Sequence, residues 1–178
     1  VLPVGILYWP FMIFIIVGTT NSANLTDGLD GLLTTVSIII FLGMFAILKL
    51  YNEPNSLVVV AVMIGACLAF LFYNHNPARV FMGDTGSFFI GGMVVALTMV
   101  TKTELLIPLL CFTYLIEACS DIIQVLVYKR TKRRVFRMAP LHHHFELGGR
   151  TENQVVMLFG IITLVTAALA VAVFWTAL

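Results

Sequence analysis

The chain has 178 residues, of which 60% are hydrophobic and only 11% are charged, and its mean hydropathy is +1.02. Soluble domains carry about 25% charged residues, so this composition excludes a soluble enzyme and predicts an integral membrane protein. The formal net charge of +1 does not indicate a strongly acidic or basic partner. The three cysteines form no Cys-x-x-Cys pair, which suggests neither a disulfide framework nor a zinc site.

Six apolar runs along the chain have the length of membrane-spanning helices. A helix needs about 20 residues to cross the hydrocarbon core, and only helices and closed barrels satisfy their backbone hydrogen bonds in lipid. The sequence therefore predicts an all-α, polytopic membrane helical bundle that forms a single integral membrane domain over residues 1–178. The six candidate spans, the fourth of which continues to about Thr103, are Leu2–Thr19, Leu32–Leu50, Leu57–Tyr73, Ser87–Val100, Leu105–Tyr128 and Val155–Leu178.

One strongly basic segment gives these spans an orientation. Lys129–Arg137 contains six basic residues and no acid. Next to a span, such a segment indicates the cytoplasmic side of the membrane, and this interpretation is favoured over nucleic-acid binding. Counting back through the spans places the segments near residues 20–31, 74–86 and 129–152 on the same, cytoplasmic face.

The first of these segments carries Asn24, Asp27 and Asp30 at intervals of three residues. If the segment is helical, the three side chains share roughly one face. An EF-hand is excluded because its ligand spacing is absent. Two interpretations stay open: Asp27 or Asp30 caps the second span, or the three residues coordinate a metal or bind a polar substrate.

The second segment contains Phe81-Met82-Gly83-Asp84-Thr85-Gly86-Ser87. A carboxylate at the edge of a hydrocarbon environment is costly unless something binds it, and Asp84 between two glycines suits a divalent cation with its phosphate. The alternative is a helix cap by Asp84 or Ser87. Phe81 could stack on a ring or anchor the chain at the membrane interface.

The third segment follows a span with three polar residues on one face, Glu117, Asp121 and Gln124. These residues could bond to another helix, pair with the basic segment or line a wet cavity. Beyond the basic segment stand the consecutive histidines His142, His143 and His144. Imidazoles can donate to phosphate oxygens or transfer protons, whereas a solvated polar loop is the structural alternative.

Three motifs in this order resemble one known family: Asn24–Leu32 (NLTDGLDGL), Phe81–Ser87 (FMGDTGS) and Met138–Glu146 (MAPLHHHFE). They are similar to the phospho-N-acetylmuramoyl-pentapeptide transferase (MraY) family, the bacterial branch of the polyprenyl-phosphate N-acetylhexosamine-1-phosphate transferases. Members of this family have about ten spans, so we expect this chain to be the C-terminal part of a longer protein. The family's aspartate-rich motif of an earlier loop is absent here, and we expect the chain alone to be inactive.

The resemblance implies transfer of phospho-MurNAc-pentapeptide from UDP-MurNAc-pentapeptide to undecaprenyl phosphate, giving lipid I and UMP in peptidoglycan biosynthesis. It implies a Mg²⁺ cofactor, a multi-pass protein of the bacterial plasma membrane with a cytoplasmic active face, a lipid environment and a homodimer. The acceptor could attack directly or through a covalent aspartyl-phosphate. Two alternatives remain: a transferase for another UDP-N-acetylhexosamine, and half of a secondary transporter.

The resemblance also assigns roles to residues. It makes Asp84 the Mg²⁺ ligand and assigns substrate binding to Asn24, Asp27, Asp30, Phe81 and Gly83, with Phe81 stacked on the uracil. It implies that the catalytic residues are Asp84, Asp27, His142, His143 and His144, with the histidines near the pyrophosphate.

Overall fold

The computed structural model describes residues 5–177, and the regular elements in that range are all helices. Two short 3-10 segments, Gly5–Leu7 and Glu104–Leu106, each lead into an α-helix. The predicted all-α fold class is therefore confirmed. The α-helices, numbered α1 to α8 in chain order, are Tyr8–Thr26, Leu32–Tyr51, Pro54–Asn74, Gly83–Thr101, Ile107–Leu110, Phe112–Thr131, Leu141–Glu146 and Glu152–Ala177.

Five of these helices are long and apolar enough to cross a membrane: α1, α2, α3, α4 and α8. The predicted start of the first span at Leu2 and the predicted end of the last at Leu178 lie outside the described residues. The predicted end of the first span at Thr19 is wrong, because α1 continues to Thr26. Hydroxyl side chains in this last part of α1 donate to carbonyls one turn earlier, so polar residues there do not end the helix.

The predicted fifth span, Leu105–Tyr128, is not one straight helix. Glu104–Leu110 and Phe112–Thr131 meet at a bend of 76°. Pro108 lies in the first turn of α5, where a proline has no helical hydrogen bond to lose, and Cys111 leaves the helical region (φ −102°, ψ 27°) between the two pieces. With the bent pair taken as one crossing, the described residues contain six candidate spans, as predicted.

The helix α2 is the centre of the bundle and packs against both α3 and α8. At Gly43 a Cβ would lie only 3.2 Å from the Cβ of Ala167, so the absence of a side chain lets α8 approach closely. A buried hydrogen bond of 2.7 Å between Ser37 Oγ and Tyr114 Oη joins α2 to α6. Small residues and paired hydroxyls therefore hold the helices together where apolar burial alone would be non-specific.

Large apolar side chains also cover the outside of the bundle. Trp9, Phe14, Phe72 and Leu164 are each more than half exposed. Exposure of such side chains is favourable among the acyl chains of a bilayer and unfavourable in water. Their exposure agrees with helices that span a membrane.

Candidate functional site

The contact between α1 and α4 sets the geometry of the predicted site. Gly91 faces Thr20 so closely that a Cβ on Gly91 would lie 2.7 Å from the Thr20 Cα. Asn24 follows Thr20 by about one helical turn, and Ser87 precedes Gly91 by about one turn. The close crossing therefore brings Asn24 opposite the first turn of α4.

Asn24 binds both polar residues at the start of α4. Its Nδ2 donates to Asp84 Oδ1 at 3.0 Å and to Ser87 Oγ at 2.9 Å. The buried Ser87 hydroxyl in turn donates to the main-chain carbonyl of Asp84 at 3.1 Å. One amide side chain thus joins the first and second polar segments of the sequence.

Neither α2 nor α4 begins with the side-chain cap that the capping interpretation predicts. No side chain caps the N-terminus of α4, and Asp84 lies inside its first turn, where a negative charge is favourable to the helix dipole. The N-cap of α2 is Gly31, which has a φ of 74° and forms no side-chain cap. The alternatives that made Asp27 or Asp30 the N-cap of α2, or Asp84 or Ser87 the N-cap of α4, are therefore wrong.

Asp30 fixes two loops against each other. Its Oδ2 accepts hydrogen bonds from the main-chain N–H of Ala78 at 2.9 Å and from Asn76 Nδ2 at 3.2 Å. The same Asn76 amide donates to Glu152 Oε2 at the start of α8, at 3.1 Å. Asp30 therefore braces the loop after α1 against the loop after α3.

A cavity of about 350 Å³ lies between these segments and is called the α1–α4 cavity. Phe81 is 75% exposed and belongs to its wall. All the residues predicted to bind substrate or metal line this one cavity: Asn24, Asp27, Asp30, Phe81, Gly83 and Asp84. The fold thus brings side chains up to 60 residues apart into one concave site.

Asp27 is a carboxyl group of this site whose pKa is shifted. It follows the last residue of α1, just outside the membrane-spanning segment. Burial, and after it the negative charge of Asp84, raises the pKa of Asp27 to about 6. A bound cation would offset the unfavourable effect of the Asp84 charge on the ionisation of Asp27.

The donor set fits a magnesium ion that arrives with phosphate groups. Among residues 5–177 there is no group of three or more His, Cys, Asp or Glu side chains that could hold a metal ion. Mg²⁺ is commonly held by one or two carboxylates together with substrate phosphates and water. Asp84 and Asp27, which line the same cavity, supply that number of carboxylates.

The consecutive histidines lie on the short helix α7, so the solvated-loop alternative is wrong. His142 is buried, with its Nδ1 3.1 Å from Glu117 Oε2 on α6. Its ring lies against Gly28, where a Cβ would collide with the imidazole. Gly28 lines the α1–α4 cavity and His142 does not, so this histidine supports the cavity wall from behind.

The other two histidines have partners of their own. His143 Nδ1 lies 3.0 Å from Glu146 Oε2, and His144 Nδ1 accepts from the main-chain N–H of Arg137 at 3.1 Å. Neither side chain lines the α1–α4 cavity. Their predicted contact with a substrate therefore stays a prediction.

The sequence did not reveal the partner of Glu117. This carboxylate is fully buried, and its bond to His142 reaches across 25 residues of sequence. Gln124, seven residues further along α6, instead accepts from the main-chain N–H groups of Val135 and Phe136 in the basic segment. Two of the alternatives for this face of α6 therefore hold, each for a different residue. Glu117 forms a hydrogen bond to another helix, and Gln124 forms hydrogen bonds to the basic segment.

The residues of the α1–α4 cavity fall within a match to a known family. Glycosyl transferase family 4 matches residues 1–102, which is more than half of the chain. The chain belongs to glycosyl transferase family 4. The part of this family 4 chain that carries Asn24, Asp27, Phe81 and Asp84 is matched, and α7 with its histidines lies beyond the match.

Relatives of this family 4 chain carry the name phospho-N-acetylmuramoyl-pentapeptide-transferase. The relative from Clostridioides difficile is 50% identical over 96% of this chain. Those from Heliobacterium modesticaldum and Desulfitobacterium hafniense are 47% and 46% identical over 94% and 96% of it. The chain spans about half the length of these relatives: 53%, 52% and 54%, respectively.

Proposed function

We propose that the full-length family 4 protein carrying this sequence transfers phospho-MurNAc-pentapeptide from UDP-MurNAc-pentapeptide to undecaprenyl phosphate. The products are lipid I and UMP, in peptidoglycan biosynthesis. The single cavity that unites Asn24, Asp27, Asp30, Phe81 and Asp84 carries this proposal. The shared name of the relatives supports the choice of donor and reaction.

The nucleotide end of the donor suits the wall that contains Phe81. Its exposed ring offers a flat apolar face on which a uracil can stack. Gly83 has a φ of 67° and no side chain, so the main chain beside the ring stays accessible to a ligand. Asp30 braces this wall through Ala78 and Asn76.

The pyrophosphate end suits the two carboxylates, and we assign Mg²⁺ to Asp84 together with Asp27. When bound, the ion would neutralise the charge that develops on the pyrophosphate. Asn24 holds the Asp84 side chain through Nδ2. Because the pKa of Asp27 is about 6, its carboxyl is mostly ionised at neutral pH and can bind a cation.

The three histidines have different surroundings, which supports different roles. We propose that His142 positions the loop of Asp27 and Asp30 through its contact with Gly28. His143 and His144 are held outside the α1–α4 cavity by partners of their own. Their contribution to catalysis therefore stays a prediction.

We further propose that the site faces the cytoplasm of a bacterium. Lys129–Arg137 lies at the end of α6, and its six basic residues favour the cytoplasmic side. A nucleotide-linked donor would reach the site from that side, and a polyprenyl phosphate presents its phosphate at headgroup depth. The homodimer implied by the resemblance stays a prediction.

A comparison of two donors tests the proposal. The full-length protein would be placed in nanodiscs with undecaprenyl phosphate and Mg²⁺ and given UDP-MurNAc-pentapeptide or UDP-N-acetylglucosamine. We expect UMP and a lipid-linked product in equal amounts from the first donor, and little of either from the second. A preference for the second donor would change the assigned substrate, and no UMP release from either would contradict the transferase.

A further inference from the structure

A second cavity, of about 420 Å³, lies beside the last turns of α6 and is called the α6 cavity. Its walls are one face of α6 and the chain that follows this helix, as far as Met138 and Ala139. Its charged residues are Asp121, Lys129 and Arg134, and Tyr128 contributes an aromatic ring. The α6 cavity and the α1–α4 cavity have no lining residue in common.

Gln124 holds the α6 cavity in shape. Its Oε1 accepts from the main-chain N–H groups of Val135 and Phe136 at 2.9 and 3.0 Å, and its Nε2 donates to the Phe136 carbonyl at 3.1 Å. Three hydrogen bonds from one side chain fold the basic segment back against α6. Arg134 therefore faces the same space as Asp121, although 13 positions separate them in sequence.

The charges of the α6 cavity do not pair with one another. Within residues 5–177 the salt bridges join His142 to Glu117 and His143 to Glu146, and neither pair lines this cavity. Asp121 thus shares the cavity with cationic side chains that it does not contact as an ion pair. A ligand that carries both an anionic and a cationic group would complement the two kinds of charge.

Apolar side chains of α6 border the charged ones, between Asp121 and Lys129. Ile122, Val125 and Leu126 are exposed by 57%, 43% and 55%. At the basic end of a membrane helix, charged and aromatic side chains lie at headgroup depth and apolar ones lie among the acyl chains. Charges of both signs beside an apolar surface match the parts of a zwitterionic phospholipid.

We propose that the α6 cavity binds an aminophospholipid of the phosphatidylethanolamine type. Arg134 and Lys129 contact its phosphate, and Asp121 accepts hydrogen bonds from its primary ammonium group. A quaternary choline headgroup has no N–H to donate to Asp121, and a glycerol headgroup has no positive charge. The proposed site should therefore discriminate between headgroups, which a diffuse basic surface does not do. This inference does not depend on the transferase activity.

Lipid retention by the purified full-length protein tests the proposal. Native mass spectrometry would compare dioleoyl lipids with ethanolamine, N-methylethanolamine, N,N-dimethylethanolamine, choline and glycerol headgroups at equal concentrations. For the unchanged protein we expect retention to fall along the methylated series, with ethanolamine about tenfold above choline, because a charge-assisted hydrogen bond is lost. Equal retention of all headgroups would overturn the proposal without any variant.

Two variants and a matched control locate the site. Asp121→Asn should abolish the preference for ethanolamine over choline, so that both lipids are retained about equally. Asp121→Glu, which keeps the negative charge, should retain part of the preference. Arg134→Gln should weaken retention of both lipids severalfold, whereas Arg133→Gln removes the same charge outside the cavity and should not. Equal effects of the two arginine variants would mean a diffuse basic surface and would overturn the proposal. Weaker binding of UDP-MurNAc-pentapeptide to Asp121→Asn, with lipid preference unchanged, would assign the cavity to the peptide instead.

Discussion

Replacement of Gly91 by alanine should push α1 and α4 apart. The new Cβ would lie 2.7 Å from the Cα of Thr20 and 3.1 Å from both Thr19 O and the Cβ of Ala23. Carbon atoms pack at about 3.5–4.0 Å, so the helices must separate by roughly 1 Å. Because the obstacle is the main chain of α1, no rotamer change relieves it, and overpacking of this kind costs about 1–3 kcal/mol.

The same separation should release Asp84. Asn24 Nδ2 is 3.0 Å from Asp84 Oδ1 and 2.9 Å from Ser87 Oγ. If the helices separate by about 1 Å, both distances become too long for a hydrogen bond. A displacement of roughly 1 Å at a reacting group can lower a rate about 100-fold. We expect kcat/KM for lipid I formation by Gly91→Ala to fall about 10- to 100-fold.

The neighbouring glycine provides the control. A Cβ on Gly92 would meet only Thr20 Cγ2, at an ordinary distance of 3.9 Å. Alanine is favoured over glycine within a helix by about 1 kcal/mol, so Gly92→Ala should be at least as stable as the unchanged protein. Thermal unfolding in one detergent and kcat/KM for the donor would be measured for both full-length variants. Equal stability and equal activity of the two would refute the argument that this crossing positions Asp84.

Three further perturbations test other parts of the site and its surroundings. The folded pKa of Asp27, about 6, lies above the usual value for aspartate, so the folded protein holds an extra proton between about pH 4 and pH 6. Its stability should therefore decrease as pH rises through that window, and Asp27→Asn should flatten this part of the curve of Tm against pH; an unchanged slope would contradict the assignment. Glu117→Leu should leave the buried Nδ1 of His142 without its hydrogen-bond partner and lower the free energy of unfolding by about 1–3 kcal/mol, with Glu117→Gln less affected; equal Tm values for the two variants would contradict the bond. Gln124→Ala should free the basic segment and speed tryptic cleavage within it, while an unchanged cleavage rate would show that the three hydrogen bonds do not hold it.

The helical bundle could be predicted because apolar runs of sufficient length have few other solutions in lipid. The bend before α6 could not, because the sequence around it, Leu105–Phe112, is continuously apolar and one proline does not locate a break at Cys111. The predicted end of the first span at Thr19 is too early for a related reason. Polar residues usually signal a loop, but Ser22 and Thr26 satisfy their hydroxyls within the helix.

The residues of the cavity could be proposed from motifs, whereas their mutual contacts could not. Asn24 and Asp84 are each conspicuous in sequence, yet their hydrogen bond depends on the glycine contact one turn away. The position of His142 depends on its hydrogen bond to Glu117. From the sequence alone, several partners are possible for Glu117, so this contact could not be predicted. Contacts of this kind follow from helix crossing positions, which local sequence patterns do not encode.

The most direct measurement of the central claim is Mg²⁺-dependent transfer by Asp84→Asn in the full-length protein. An asparagine at this position keeps the size of the side chain and can still accept from Asn24 Nδ2, so the helix crossing stays intact. It removes the charge that is proposed to hold the ion. Lipid I formation from UDP-MurNAc-pentapeptide should fall by at least about 100-fold, with a higher Mg²⁺ concentration needed for what remains. Near-normal turnover with an unchanged Mg²⁺ requirement would contradict the assignment of Asp84 as the metal ligand.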